Sequence, residues 1–438
     1  MDFLEIIYCL VIIFLASFLL VKLRILKLEG IGKSWVLTAF YLKIISGFIL
    51  VFIYTNYYNS RNQADIYRYF DDSEIMYNAL SENPKDFFSM VSGIGDKTEY
   101  FKDKYYAEMD NWYQKYPTVV YDDSHTIIRI NALLRIFSLG YFFVHLLVFI
   151  IMAFLGFIAL YKTFVRYFPT NKGYLFFALF FIPSVVFWSS GILKESFLFF
   201  ALGLFIYSYQ QLIYNTVNYK YVLCFIIGLL CLFHVKTYVL ATLIPLIIAN
   251  VWIVNSNNKH AFLKYIIVLL VCLGFAILLA AVNSEYDVFA LLSRKMKDFK
   301  NVAILCNAGS MIEPILMKPT FWSFIQNAPI AIFNVLFRPL PSDISSLIVL
   351  PAFLENVLIV LTIVTAIFFH VKKIKHVRIF WLCIFFTLIL ATIIGLSTPV
   401  LGAIVRYRTP LLPFLFIALF MIIDFKKVLK FLKIKKTV

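Results

Sequence analysis

Long uninterrupted apolar runs limit what this chain of 438 residues can fold into. Phe3 to Val21, Val36 to Tyr54, Tyr141 to Tyr161 and Tyr265 to Val282 each approach the roughly 20 residues that carry a helix across a bilayer. Lipid offers backbone amides no water, so only helices or a closed barrel can span it. Barrel strands alternate apolar and polar residues, and these runs do not alternate. The chain therefore reads as an all-α polytopic membrane protein. Only 15% of its residues are charged, against roughly a quarter in a soluble domain.

The basic residues set the expected threading, because cytoplasmic loops are enriched in Lys and Arg. KLRILKLEGIGK, KTFVRYFPTNK, NSNNKHAFLK, KKIKHVR and the tail from Asp424 all fall on one side if the chain crosses about eleven times. The spans then expected are 3–21, 36–54, 141–161, 174–188, 197–213, 221–233, 239–254, 265–282, 348–370, 379–396 and 411–423. The N-terminus is outside and the C-terminus cytoplasmic. Residues 56–138 form a large first outer loop, 283–345 a second, and 424–438 a basic cytoplasmic tail on one transmembrane domain, 1–438. The net charge of +16 is thus spent on topology and anionic lipid head groups, and no nucleic-acid partner is expected. The first run lacks a preceding basic residue and a small-residue cleavage site, so it reads as a retained helix. No CxxC pair is present, which argues against a disulfide frame or a zinc site.

The first outer loop carries most of the acidic residues. In NQADIYRYFDDSEIMYNAL, Asp65 and Asp72 are seven residues apart and share a face if the stretch is helical. Such carboxylates, with Asp71, could take a proton from an acceptor hydroxyl or hold a divalent cation; the plain alternative is a solvated acidic loop. The loop closes with HTIIRINALLRIFSLG, which reads as an amphipathic surface helix with Arg129 and Arg135 on its polar side.

Further polar groups are expected at the same membrane face. PSVVFWSSGILKES interrupts a hairpin and sets Lys194 and Glu195 at the start of the returning helix. His234 and Lys236 sit at another outer turn, Arg338 lies in NVLFRPLPSD, and Arg406 and Arg408 lie in VRYRTPLLPF. Outer arginines run against the positive-inside tendency, and guanidinium groups grip phosphate through paired donors. These residues point to an anionic ligand, although a charge near a helix end can also be a snorkelling anchor.

VRYRTPLLPF resembles the last-helix motif of dolichol- and undecaprenol-dependent membrane glycosyltransferases of the GT-C superfamily. FRPLPSD is similar to an arginine-proline segment of membrane proteins of glycan assembly. The overall plan resembles O-antigen and exopolysaccharide polymerases. The resemblance implies sugar transfer from a polyprenyl-phosphate or polyprenyl-diphosphate donor on the outer face of a bacterial cytoplasmic membrane. It gives Asp65, Asp71 and Asp72 the role of base or metal ligand. It gives Arg406 and Arg408, with Arg338 and Lys194, the lipid-linked phosphate. Glu195, His234 and Lys236 are further candidates. It allows a divalent cation as cofactor, and membrane lipid and a glycan-assembly complex as partners. The chain departs from many members in having no acidic pair directly after its first helix, which leaves the polymerase branch open. The rival readings are a transporter or flippase of a lipid-linked or anionic solute, and a non-catalytic scaffold.

Overall fold

The computed structural model describes residues 2–58, 60–112, 123–214, 218–256, 259–305, 308–344 and 346–432. Residues 113–122, Cys306 and the end of the basic tail lie outside them. The described residues are mostly helical, with two isolated β-bridges and no strand among them. They form two compact units: Met1–Arg166 with Val186–Thr237, and Tyr167–Val185 with Tyr238–Val438.

The first unit begins with α1 (Phe3–Lys22) and α2 (Lys33–Tyr57). The described residues that follow are mostly helical: α3 (Asp65–Glu82), α4 (Pro84–Ser92), α5 (Glu99–Lys104) and α6 (Ser124–Ser138). α7 (Phe142–Phe164) returns through the apolar layer. α8 (Lys172–Phe180) and the first half of α9 (Pro183–Trp188) belong to the second unit. α10 (Lys194–Tyr214) and α11 (Tyr219–Val235) complete the first. Span 174–188 was expected as one helix and is instead two short ones. Pro183 lacks an N–H and its ring crowds the carbonyl four residues back, so the helix stops before it.

The second unit holds α12 (Thr237–Asn255), α13 (Ala261–Val282), α14 (Val288–Leu305), α15 (Phe321–Phe337) and α16 (Leu350–Phe368). α17 (Val377–Ser397), α18 (Leu401–Tyr407), α19 (Leu412–Ile422) and α20 (Phe425–Phe431) follow. Its core includes Leu292, Met296, Ile315, Met317, Ala331 and Leu396, which join α14, the segment before α15, α15 and α17. α18 and α19 meet at 63°, a broken span rather than one straight helix.

Among the described residues, eight helices are long and apolar enough to cross a membrane, and a ninth is made if the bent α18–α19 pair counts as one span. α13 shows why lipid is required. Only 6% of its spanning stretch is buried inside the protein, and Leu270, Val271, Phe275 and Leu278 project outward. A soluble helix could not leave that whole surface apolar.

α6 corrects an expectation. The spacing puts its arginines on the polar side of a surface helix, yet Arg135 is buried and Arg129 is half-buried. The exposed side carries Leu133, Ile136, Phe137 and Leu139 instead. The arginines turn inward because α3 and α4 offer them carbonyls, a hydroxyl and a carboxylate.

Glycines set the spacing of α7 against α10. A Cβ on Gly156 would lie 2.1 Å from the Phe199 carbonyl oxygen, and one on Gly203 2.2 Å from that of Gly156. Gly156→Val therefore forces the two helices apart. The expected result is a loss of about 1–3 kcal/mol or more, read as a lower unfolding temperature of the detergent-solubilised protein. Gly173→Ala, where no atom stands within 4 Å of the new Cβ, is the control and leaves that temperature nearly unchanged.

Candidate functional site

Helices α3 to α6 build a cap on one end of α7, held by buried polar groups. Asp72 is 2% exposed and accepts the backbone amides of Asp110 and Asn111, both at 2.9 Å. Burial raises its carboxyl to about 6, against the pull of those two amides. Arg135 donates to the Ser73 hydroxyl (2.9 Å) and the Phe70 carbonyl (2.8 Å), with its guanidinium 4.1 Å from the Phe70 ring centre. Arg129 reaches the Met90 carbonyl and Asp96. Gly93, in a left-handed turn, admits it: a Cβ there would lie 2.8 Å from the guanidinium. His145 of α7 ties the cap down, bonding Ser138 at 2.6 Å and Asn131 at 2.7 Å.

The three aspartates of α3 have separate surroundings. Asp71 is paired with Arg61 through two bonds of 2.7 and 2.8 Å at the surface. Asp72 clips the 110–111 segment to the helix. Asp65 opens α3 and is half-buried.

Beneath the cap the membrane helices form a recess. α7 and α10 run parallel, since Arg166 at the end of one stacks on Tyr214 at the end of the other. Gly156 lies beside Phe199, Phe200 and Gly203. At 1.5 Å per residue this alignment starts α10 roughly 10 Å short of the capped end of α7. The N-terminus of α6 drops into that recess. Asp123 receives Lys194 on Oδ1 at 2.5 Å and Lys236 on Oδ2 at 3.3 Å. The lysine side chains are 13% and 7% exposed and the carboxylate 32%. Burial opposes charge on Asp123, but Lys236 and Lys194 outweigh it and hold the carboxyl well below the usual range. Thr126 bonds the His234 carbonyl at 3.0 Å, which fixes the end of α11 beside the cluster. The Lys194 ammonium also stands 5.8 Å from the centre of the Tyr69 ring of α3. Glu195 follows Lys194 and is buried.

Sequence reasoning missed two members of this unit. Asp123 sits in an acidic loop with no pattern around it, and only the fold brings it to lysines 71 residues and more away. Lys43 was lost inside an apolar run, although a lone charge there is a signal in itself. It lies ten residues, about 15 Å, into α2. Its ammonium donates to the Ser189 carbonyl (2.9 Å) and hydroxyl (2.6 Å). The break after α9 is thereby held against the middle of α2. Gly47 permits the approach, since a Cβ on it would lie 2.6 Å from the Ser190 oxygen.

In the second unit the two arginines of VRYRTP part company. Arg406 is half-exposed. The Arg408 side chain is wholly buried and donates to Glu355 (2.8 Å) and to the carbonyls of Val335 (3.0 Å) and Arg338 (2.9 Å). Glu355 in turn accepts the amide (2.7 Å) and hydroxyl (2.8 Å) of Ser184. Arg408 thus braces the bend between α18 and α19 against α15, α16 and the start of α9. As folded here, both terminal nitrogens of the guanidinium are bonded within the protein, and Nε is buried without a hydrogen-bond partner. Arg338 keeps an ion pair with Asp343 at 3.4 Å. Among the described residues, no three His, Cys, Asp or Glu side chains gather as metal ligands would.

Two outcomes follow from these geometries. Arg408→Met leaves a buried carboxylate without its cation and costs about 3–5 kcal/mol, whereas Arg408→Met with Glu355→Leu recovers most of that loss; unfolding of the solubilised variants reads both. For Asp72, the folded group titrates at about 6 and the free one at 3.8. The folded chain therefore holds the extra proton between those values. The contribution of Asp72 to cap stability is full below that window and falls as pH rises through it. Hydrogen exchange of the cap shows this slope, and Asp72→Asn flattens it.

Searches of protein-family models, curated proteins and solved structures return no match to this chain.

Proposed function

We propose that this protein is a membrane glycosyltransferase or polysaccharide polymerase that takes sugar from a polyprenyl-phosphate or polyprenyl-diphosphate donor. In this reading the chain crosses the bacterial cytoplasmic membrane about eleven times, with the N-terminus and the cap outside. The observation that supports it is the pair of mostly buried lysines, Lys194 and Lys236, converging on one carboxylate in a recess under the helical cap. Lysines so placed would meet the phosphate of a donor whose lipid tail stays in the bilayer. They would stabilise the negative charge that develops as the glycosidic bond to phosphate breaks. Asp65, half-buried at the start of α3, is the aspartate we assign to activating an acceptor hydroxyl. In the second unit, half-exposed Arg406 is the arginine of the RYR motif proposed to meet an anion. The short motifs VRYRTPLLPF and FRPLPSD favour glycan assembly as the setting.

A second reading draws on specific observations. The bent pair α18–α19 of the second unit and, separately, a lysine in the middle of α2 of the first are features that transporters use at the bilayer midplane. A flippase of the same lipid-linked donor would use them to pass its head group.

The test compares lipid-linked and mature glycans in cells carrying Lys194→Ala, Lys236→Ala, Asp65→Asn or Arg406→Ala at matched membrane abundance. The transferase reading expects mature glycan to fall at least tenfold for each lysine variant, with the lipid-linked precursor building up on the outer leaflet. Precursor held on the inner leaflet supports the flippase, and unchanged glycan in all four variants overturns both.

A further inference from the structure

The two lysines of the recess are buried behind Asp123, which is the most open member of the cluster. Lys194 binds one carboxylate oxygen and Lys236 the other. The arrangement is that of two ammonium groups bridging two oxygens of a single anion. A phosphate or diphosphate ester offers paired oxygens of the same kind. An anion entering from the open side meets Asp123 first.

We infer that Asp123 is an internal stand-in for the anion: in the empty protein it holds Lys194 and Lys236, and a phosphate or diphosphate ester binds by displacing it. This rests on the reading of those lysines as the phosphate site and adds how that site is kept when no donor is present. Three features support it. Buried ammonium groups are costly without a counter-ion, so an empty site needs an anion of its own. Asp123 is the N-cap residue of α6 and its side chain makes no capping bond to the helix, so its release from the lysines breaks no helix bond. The bonds it makes within the cluster are those a ligand phosphate would make, so the two anions cannot be held together in the same way. Displacement would also loosen the α6 terminus, which Thr126 ties to α11 through the His234 carbonyl.

The experiment measures binding of two probes, inorganic diphosphate and farnesyl diphosphate, to the full chain in nanodiscs. Removing the internal competitor should tighten binding, so Asp123→Asn is expected to bind at least one probe about tenfold more tightly than the parent. Lys194→Ala and Lys236→Ala should each bind about tenfold more weakly. Asp123→Ser, which keeps a short side chain able to cap α6, is the second variant should the amide destabilise the cap. Tightening for both probes marks a site for the diphosphate itself. Tightening for farnesyl diphosphate alone marks a site that needs the lipid tail as well. Equal or weaker binding by both Asp123 variants, each eluting as folded protein, overturns the inference. The outcome is separable from the transferase reading: tightening without any glycan defect in the lysine variants keeps the displaced anion and discards the transferase. A glycan defect in the lysine variants without tightening does the reverse.

Discussion

Charge buried away from water is the constraint on which this structure most depends. An ammonium or carboxylate taken out of water costs several kcal/mol unless a partner meets it. Each buried charge therefore dictates where two or three segments must lie. Asp123, Lys194 and Lys236 draw the starts of α6 and α10 and the end of α11 to one point. Arg408 and Glu355 do the same for the bend between α18 and α19. Lys43 holds the break after α9 in the middle of the first unit. Apolar packing supplies the bulk of the helices and leaves their register loose; the polar groups fix it.

This constraint also explains the break after Trp188. A helix running straight through would have had no use for Ser189, Ser190 and Gly191. Here the Ser189 carbonyl and hydroxyl serve Lys43, and the Ser190 backbone closes against Gly47. The interruption starts α10 deep, which makes the recess, and the recess buries the lysines. One local departure from regular helix thus sets the depth of the charged cluster.

Much of this was legible in the sequence and some was not, for physical reasons. The apolar runs gave the helices, because hydropathy is a sum over many residues and survives local error. The start of α10 at Lys194 was readable from the polar break before it, whereas a helix at Asp65–Glu82 entered only as the condition for Asp65 and Asp72 to share a face. The two arginines of VRYRTP could not be told apart by type: only the bend at α18 shows that one is buried on Glu355 and the other half-exposed. Arg129 and Arg135 were placed toward water because helical spacing gives the faces of α6 but not the neighbour that covers each. Asp123 was invisible, since its importance lies in partners distant along the chain.

The most direct test of the central claim uses the purified full chain in liposomes with a synthetic polyprenyl-diphosphate sugar as donor and a matching lipid-linked acceptor. The account predicts a glycan product one sugar unit longer or more, lost in Lys194→Ala and Lys236→Ala at equal incorporation. No transfer, with the donor instead moving to the other leaflet of the same liposomes, would contradict it and leave the broken helices and Lys43 as parts of a transport path.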